Sequence, residues 1–176
     1  SNIIIENVGN PALGIGNRNA VAMWEYLGTS SDITFNNPTI SNNNGRGIML
    51  GTQAASNTIT GFSVTGGVFS DNAAQHLLIY QSVPEGLISD VSITYSTLAD
   101  GSIWGNTSSN VDLSCNWWGS TDYATINSKI GLTSKTFQPY LVDGTDAETN
   151  TPGFQPLTPN TCTNGPVAIT ATPDHI

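Results

Sequence analysis

Two stretches of the chain repeat each other at a shift of 29, and this repeat limits the possible folds more than any other feature. The stretches are DITFNNPTISNNNGRGIML at 32–50 and GFSVTGGVFSDNAAQHLLI at 61–79. The shift pairs Ile33 with Phe62, Phe35 with Val64, Ile40 with Phe69, Asn43 with Asn72, Ile48 with Leu77, and Leu50 with Ile79. Such a period is typical of stacked units, each of which buries its apolar side chains against its neighbours.

The repeat continues on both sides of these stretches. A further shift of 29 relates Phe62 to Val91, Val64 to Ile93, and Phe69 to Leu98. After Asp100 the register shortens by about three residues, which makes Ile103 the counterpart of Leu77. Upstream, a shift of 30 places Ile3 and Ile5 in the columns of Ile33 and Phe35.

The pattern inside each unit predicts strands. The segments ITF, FSV and VSI alternate apolar and small polar residues, which is the period of a half-buried strand. Successive units then pair in parallel about 4.8 Å apart, with Asn- and Gly-rich corners that accept left-handed backbone. We therefore expect an all-β fold, a parallel β-helix. A β-sandwich in which the period is coincidental is the alternative.

These repeats resemble the right-handed parallel β-helix repeats of bacterial secreted and surface proteins in the pectin-lyase-like superfamily, over about residues 1–142. The resemblance implies a right-handed parallel β-helix (solenoid) with a C-terminal cap. We divide the chain into β-helix coils at 1–114, a cap at 115–142, and a tail or linker toward a following domain at 143–176.

Composition excludes two classes of partner. The chain has 4 Lys+Arg against 13 Asp+Glu, a net charge of −9. Nucleic acids and anionic membranes both attract basic surfaces, so we expect neither as a partner. No apolar run reaches the ~18 residues of a membrane span, so we expect no membrane insertion. The opening SNIIIENVGN, without a Met or a signal peptide, leads us to expect a fragment or trimmed product of a longer polypeptide.

The segment SCNWWGS at 114–120 follows the last strand signal, NVDL at 110–113. The last coil of a solenoid exposes apolar side chains and unpaired strand edges, so something must cover it. We predict that Trp117 and Trp118 close this end, and NWWGS resembles the terminal segment of bacterial β-helices. A sugar-stacking platform is the alternative, although adjacent strand residues point to opposite faces.

A short helix is predicted next, in STDYATINSKIG. A Ser or Thr would be its N-cap, Tyr123, Ile126 and Ile130 have helical spacing, and Gly131 would end it. TFQPYLVDG then returns as an extended piece, with Pro139 at an edge position.

The two cysteines, Cys115 and Cys162, indicate the compartment. A disulfide fits an exported protein and a reduced pair fits a cytosolic one. Low lysine with abundant Thr and Asn favours export, so we predict a Cys115–Cys162 disulfide and an extracellular or cell-surface location. The bond would join the tail to the cap, a closure worth ~4 kcal/mol in the chain-entropy model.

The tail is acidic and rich in turn residues. Asp143, Asp146 and Glu148 are weak candidates for Ca²⁺, because their spacing matches no known calcium loop. Otherwise no cofactor is expected. The final PVAITATPDHI resembles the opening strand of Ig-like repeats in giant Bacteroidetes surface proteins, including gliding-motility adhesins, which would place a further domain after residue 176.

Catalytic residues are not predicted, although enzymes on this fold are the runner-up class. A polysaccharide lyase needs a basic residue and a glycoside hydrolase needs clustered carboxylates. Asp71 and Asp100 are 29 apart and would lie on adjacent coils. Repulsion between the two carboxylates could raise the pKa of one of them, or the pair could hold a cation. Both also occupy corners, where Asp simply forms turns. His76 precedes the inward Leu77, and we expect a surface or corner histidine.

One outward stripe has no structural explanation in the sequence. If Ile48, Leu50, Leu77 and Ile79 face inward, their strand neighbours face outward, and the residues in register with those neighbours do the same. These outward residues are Trp24, Met49, Leu78, Tyr80 and Trp104. Such a patch marks a contact with a glycan, a protein or a filament neighbour, unless the insertion QSVPEGL or the tail covers it. A column of Thr34, Ser63 and Ser92 is too narrow and mixed for ice binding.

Together these features predict a noncatalytic extracellular β-helix domain of a large bacterial surface or secreted protein. Its role would be adhesion, glycan contact or rigid spacing between neighbouring domains. The alternatives are a fragment of a carbohydrate-active enzyme and a filament subunit.

Overall fold

The structure, a computed structural model, describes residues 3–10, 12, 14, 18–81, 86–157 and 162. The chain is wound as a parallel β-solenoid of about four turns, with one short helix, α1, at Tyr123–Ser128. The strands are β1 Ile4–Glu6, β2 Asn19–Glu25, β3 Thr29–Asn36, β4 Thr39–Ser41, β5 Arg46–Thr52, β6 Thr58–Thr65, β7 Val68–Ser70, β8 Leu77–Gln81, β9 Leu87–Thr94, β10 Ile103–Gly105, β11 Val111–Asp112, β12 Ile130–Gly131 and β13 Lys135–Thr136.

The described strands form three sheets, and every strand pair within them is parallel. Sheet A has the order β1-β4-β7, sheet B the order β12-β10-β8-β5-β2, and sheet C the order β13-β11-β9-β6-β3. Each turn of the chain crosses sheet C, then A, then B. This topology confirms the stacked units and excludes the β-sandwich alternative.

The strand register confirms the shift of 29 in all three sheets. In sheet A, Ile40 pairs with Phe69. β3 pairs with β6 through Ile33–Phe62 and Phe35–Val64, and β5 pairs with β8 through Ile48–Leu77. The shortened step after Asp100 is also confirmed, because Ile103 pairs with Leu77. The repeat read from the sequence is therefore the coil of the solenoid.

The upstream extension of the repeat is wrong. Ile5 pairs with Ile40 in sheet A, at a shift of 35, and not with Phe35 in sheet C. β1 is three residues long and has a single inward isoleucine. Spacing alone therefore cannot tell to which sheet this strand belongs. The stretch between β1 and β2 is longer than the later corners, and this length causes the error.

The core is a ladder of the inward residues of the three sheets. Phe62, Val64, Leu50 and Ile79 are fully buried, as expected for strands whose alternate side chains face the interior. Ile33, Phe35 and Met23 in the first coil are only partly buried. Packing is therefore complete from the second coil onward.

Side-chain amides tie the corners of successive coils together. Asn43 Nδ2 donates to Asn72 Oδ1 at 2.8 Å, and Asn72 Nδ2 donates to the Ile40 carbonyl at 3.0 Å. Asn42 has φ 54° and Asp71 has φ 51°, the left-handed backbone expected of corner residues. Two coils further, in the corner before Trp117, the side chain of Asn116 bonds three backbone groups.

The segment after residue 114 continues the coil and carries the helix. β12 and β13 extend sheets B and C, so NVDL is not the last strand. Asp122, and not a Ser or Thr, is the N-cap, and its carboxylate accepts from the Thr125 N–H at 2.7 Å, which lowers its pKa. The helix ends before Gly131, which lies in β12. The described residues contain no helix of the length and apolarity that a membrane crossing requires.

The two adjacent tryptophans have opposite surroundings. Trp117 bridges to Thr97, which in turn bridges to Val68 in sheet A. Trp118 therefore continues the inward column of Phe69 and Leu98, and it is fully buried in the core. Trp117 faces outward and is half-buried. That the pair caps the solenoid stays a prediction.

The tail crosses the outside of sheet A. Gly144 lies against the indole of Trp117, where a Cβ would overlap the ring. Further on, the Phe154 N–H donates to the Gly66 carbonyl at 2.7 Å, and Phe154 is buried. The chain then returns to the predicted Cys115–Cys162 disulfide, which is present. PVAITATPDHI and the predicted following domain lie outside the described residues.

Candidate functional site

Two columns of outward side chains run across sheet B and form one surface. The first column contains Ala22, Met49, Leu78, Trp104 and Gly131. The second contains Trp24, Gly51 and Tyr80. We call the surface formed by Trp24, Tyr26, Met49, Leu78, Tyr80 and Trp104 the aromatic face.

Trp24 lies across the next coil instead of pointing straight away from the sheet. A Cβ at Gly51 would overlap the six-membered ring of its indole, so the ring occupies space that a side chain at 51 would fill. Past this glycine the indole stacks on Tyr80, with ring centroids 5.8 Å apart and planes at 26°. Trp24 Nε1 donates to Gln53 Oε1 at 3.2 Å. The glycine therefore makes the stack between residues two coils apart possible.

Trp104 repeats this arrangement. Its partner in the next strand is Gly131, where a Cβ would overlap Cδ1 of the indole. In both cases the glycine under the indole is the residue that pairs with the tryptophan in the neighbouring strand of sheet B. Trp104 is 46% exposed, so its indole rests on the sheet with much of its surface in water.

A groove of about 550 Å³ opens on the aromatic face. Met49 and Leu78 form its floor and are almost fully buried, although both point outward. Trp24, Tyr26 and Tyr80 line it, with Tyr26 61% and Tyr80 39% exposed. The groove thus combines an apolar floor with exposed aromatic rings, as small-ligand sites commonly do.

Polar side chains border the groove at one side. Arg46 Nε donates to Gln75 Oε1 at 3.1 Å, and its Nη1 donates to Asn19 Oδ1 at 3.5 Å. Partial burial lowers the pKa of Arg46, but a guanidinium remains charged at neutral pH. Arg46 and Asn19 both line the groove, so it offers hydrogen-bond partners beside its aromatic rings.

The structure brings together all the residues of the predicted stripe. Trp24, Met49, Leu78, Tyr80 and Trp104 lie in the predicted columns. Met49 and Leu78 are covered by their neighbours and contribute a floor, not exposed surface. Tyr26 was missed, because it lies just after β2, where strand alternation no longer determines direction. Its position two residues after Trp24 was the available signal: its ring centroid is 6.2 Å from that of Trp24.

Neither proposed cover of the stripe is seen in the described residues. The described tail, 143–157, lies against Trp117 and Gly66 on the side of sheet A. Of the insertion QSVPEGL, residues 82–85 fall outside the described part. Gly86 lies beside Thr52, where a Cβ would come close to the Thr52 hydroxyl. Among the described residues of these two segments, none lines the groove.

The predicted cation site at Asp71 and Asp100 is arranged differently. Asp100 Oδ2 accepts from the Asp71 N–H at 2.7 Å, and Asp100 Oδ1 lies 3.0 Å from His76 Nε2. Asp100 thus bonds the backbone of the preceding coil and a histidine. Within the described ranges, no group of three or more His, Cys, Asp or Glu is placed to hold a metal ion.

Of the two expectations for His76, a surface or a corner histidine, the surface position is wrong and the corner position is confirmed. His76 is 1% exposed and packs 5.7 Å from the ring of Phe69. Asn72 Nδ2 donates to the Ile40 carbonyl, which identifies it as the nitrogen of the amide. An amide nitrogen can only donate, so it also donates to His76 Nδ1, 3.2 Å away. His76 therefore carries its proton on Nε2 and donates it to Asp100. It precedes β8, so the alternation of that strand does not extend to it.

Burial lowers the pKa of His76, and this effect exceeds that of the nearby charges. Asp100 and Asp71 act to raise the pKa, and Lys129 acts to lower it further. A neutral His76 fits its contacts, since protonation would place an N–H on Nδ1 against the amide N–H of Asn72. The cluster is a buried hydrogen-bonded corner.

The acidic tail residues bond to their own backbone. Asp143 Oδ1 accepts from the Thr145 N–H at 3.0 Å, and Asp146 Oδ1 accepts from the Glu148 N–H at 3.0 Å. These are local turns of the kind that Asp forms in loops. They leave calcium binding by Asp143, Asp146 and Glu148 a prediction without structural support.

Comparisons with protein-family models, with curated proteins and with solved structures give no significant match. The class that the fold defines is a parallel β-solenoid with an intramolecular disulfide. Its function must be argued from its surfaces.

Proposed function

We propose that the chain is a noncatalytic extracellular β-solenoid domain of a bacterial surface or secreted protein, which contacts glycans through the aromatic face. The observation that carries the proposal is the pose of the two indoles. Trp24 and Trp104 lie across glycines of the next coil; Trp104 is exposed and Trp24 is half-buried. Aromatic rings with one apolar face free and polar groups nearby suit the apolar faces of sugar rings.

The groove favours a glycan over a protein or filament contact. Its apolar floor is bordered by Asn19 and Arg46. A protein interface of standard size buries about 800 Å² per partner around an apolar centre. Here the exposed apolar surface is limited to a few rings, and amide and guanidinium groups lie beside them at one side of the groove.

The extracellular location is supported by the Cys115–Cys162 disulfide, because such bonds persist in oxidising compartments. The finer affiliation, with pectin-lyase-like β-helices and Bacteroidetes adhesins, rests on the repeat, on NWWGS and on PVAITATPDHI.

A noncatalytic role is supported by the contacts of the residues that catalysis would require. Both oxygens of Asp100 have partners. Lys129 Nζ donates to the carbonyls of Ala99 and Trp118, and Lys135 Nζ donates to the Ile130 carbonyl at 2.7 Å. These groups bond to the protein itself, and none of them lines the groove.

Affinity electrophoresis in gels containing soluble xylan, β-glucan or glycol chitin tests the proposal. We expect retardation of the wild type by at least one of these polysaccharides, and loss of it in Trp24→Ala and Tyr80→Ala. Tyr123→Ala is the matched control, because Tyr123 is 53% exposed at the far end of the solenoid. Equal mobility of the wild type with and without every polysaccharide would contradict glycan contact.

The enzyme alternative has its own test. Wild-type protein is incubated with pectin, alginate and chondroitin, and unsaturated ends and reducing sugar are measured. We expect neither to form above the level without protein. Activity abolished by Asp71→Asn would refute the noncatalytic assignment.

A further inference from the structure

The two indoles of the aromatic face are related by the fold itself. Each lies over the glycine that pairs with it in the neighbouring strand, so both lean toward the C-terminal end by one coil. Trp24 belongs to β2 and Trp104 to β10, which are three strand spacings apart in sheet B. Their columns are offset by two residues. These steps place the indoles ~16 Å apart, mostly along the solenoid axis.

Apolar residues occupy the two strands of sheet B between the indoles. Met49 and Leu78 occupy the column of Trp104 in the two intervening coils, and Tyr80 lies beside them. The apolar floor of the groove therefore leads from Trp24 toward Trp104. Because strands run across the solenoid, a ligand that contacts both indoles must lie along the axis.

The charge of the chain selects among glycans. A net charge of −9 repels polyuronates and sulfated chains. Arg46 is the cation that lines the groove among the described residues, and it is hydrogen-bonded to Gln75 and Asn19. Hydrogen bonding to neutral hydroxyls and stacking on rings remain available.

We infer that the aromatic face is one extended site for a neutral glycan chain that lies along the solenoid axis and contacts Trp24 and Trp104 at once. The inference rests on the proposed glycan contact and adds the orientation, the charge class and a minimum length. A separation of ~16 Å is beyond the reach of a mono- or disaccharide, so the second indole acts only on longer chains.

Calorimetric titration with oligosaccharides of increasing length tests this. The probes are the di-, tetra- and hexasaccharides of the cello-, xylo- and chito-series, with hexagalacturonate as the charged comparison. In the series that binds, affinity should rise about ten-fold from disaccharide to hexasaccharide, the effect of one additional aromatic contact. Hexagalacturonate should bind more weakly than the neutral hexasaccharide.

Two variants address the second indole. Trp104→Ala removes it, and Gly131→Ala keeps it but displaces it with a methyl group. Both should lower hexasaccharide affinity about ten-fold, toward the affinity of the disaccharide. Tyr123→Ala should change neither.

The outcomes separate the two proposals. If the disaccharide binds as tightly as the hexasaccharide, or if both variants bind the hexasaccharide like the wild type, the extended axial site is refuted while glycan contact stands. Preference for hexagalacturonate refutes the neutral class. If no probe of any series binds, both proposals fall.

Discussion

At the scale of single residues, direction relative to the sheet decides what each large side chain does. Trp117 and Trp118 are neighbours, yet the first is half-buried outside sheet A and the second is fully buried in the core. Glycines matter equally: Gly51 and Gly131 allow indoles to lie where side chains would otherwise stand. One residue type thus serves the core and the aromatic face.

The tryptophan pair predicts unequal effects of truncation. Trp118→Ala should lower the free energy of unfolding by about 3–5 kcal/mol, because it removes a large buried side chain. Trp117→Ala should cost about 1 kcal/mol, since water already reaches that indole. Urea denaturation followed by circular dichroism measures both. Equal losses would contradict the placement of the pair.

His76 makes the free energy of unfolding depend on pH. Its folded pKa is lowered by burial, while the unfolded pKa stays near 6.5. The unfolded state therefore takes up a proton first as the pH falls, and stability contributed by His76 is complete above pH 6.5 and declines below it. The slope cannot exceed about 1.4 kcal/mol per pH unit for one proton.

Comparing the wild type with His76→Gln isolates this dependence. Unfolding free energies are measured by urea denaturation between pH 7.5 and 5. Below pH 6.5 we expect a steeper decline in the wild type than in the variant. Asp100, Asp71 and Lys129, the charged groups that act on His76, are present in both proteins. The same slope in both would show that His76 titrates normally in the folded state.

At the scale of elements, the inward columns were predictable and the ends of elements were not. Period-two alternation repeated at 29 identified sheet C and sheet B, because burial of every second residue is what those strands require. It missed the left-handed residues inside sheet C, at Asp32, Gly61 and Asp90, where each long strand bends. The helix cap was also misassigned, because Ser120, Thr121 and Asp122 are all acceptable caps.

The side-chain amide of Asn116, in a buried corner, is predicted to stabilise the fold. Asn116 Oδ1 accepts from the Ser96 N–H at 2.8 Å, and its Nδ2 donates to the carbonyls of Ile93 and Leu113. Asn116→Ala should lower the free energy of unfolding by about 2–4 kcal/mol, because these backbone groups stay buried without partners. Asn106→Ala is the matched control: Asn106 bonds the Gln81 backbone at an exposed site, where water can replace it. A similar loss in both variants would show that burial is irrelevant here.

At the scale of the whole molecule, the coils differ in length while the sheets stay in register. Residues that pair between neighbouring strands of sheet B are 27, 29, 26 and 27 positions apart in the sequence. The corners between the strands accommodate these differences in length. The candidate site depends on this constancy, since it places Trp24 and Tyr80 in one column and Trp104 in the adjacent outward column. The stripe was predictable for that reason, whereas its glycine supports and Tyr26 required three-dimensional contacts.

The disulfide contributes to the stability of the whole chain. Reduction should lower the free energy of unfolding by at most ~4 kcal/mol, because the closed segment spans 47 residues. Denaturation with and without reductant measures the loss. A Cys115→Ser, Cys162→Ser double variant should be as unstable as the reduced wild type and insensitive to reductant. Full stability of the reduced protein would mean that the tail is held by its noncovalent contacts.

The same bond also determines how the chain carries mechanical load. Tension applied beyond Cys162 passes through the sulfurs to Cys115 and bypasses residues 116–161. The helix, the last two strands and the tail across sheet A are shielded from pulling as long as the bond is oxidised. For a domain anchored at a surface in flowing fluid, drag would then act on β11 and the coils before it.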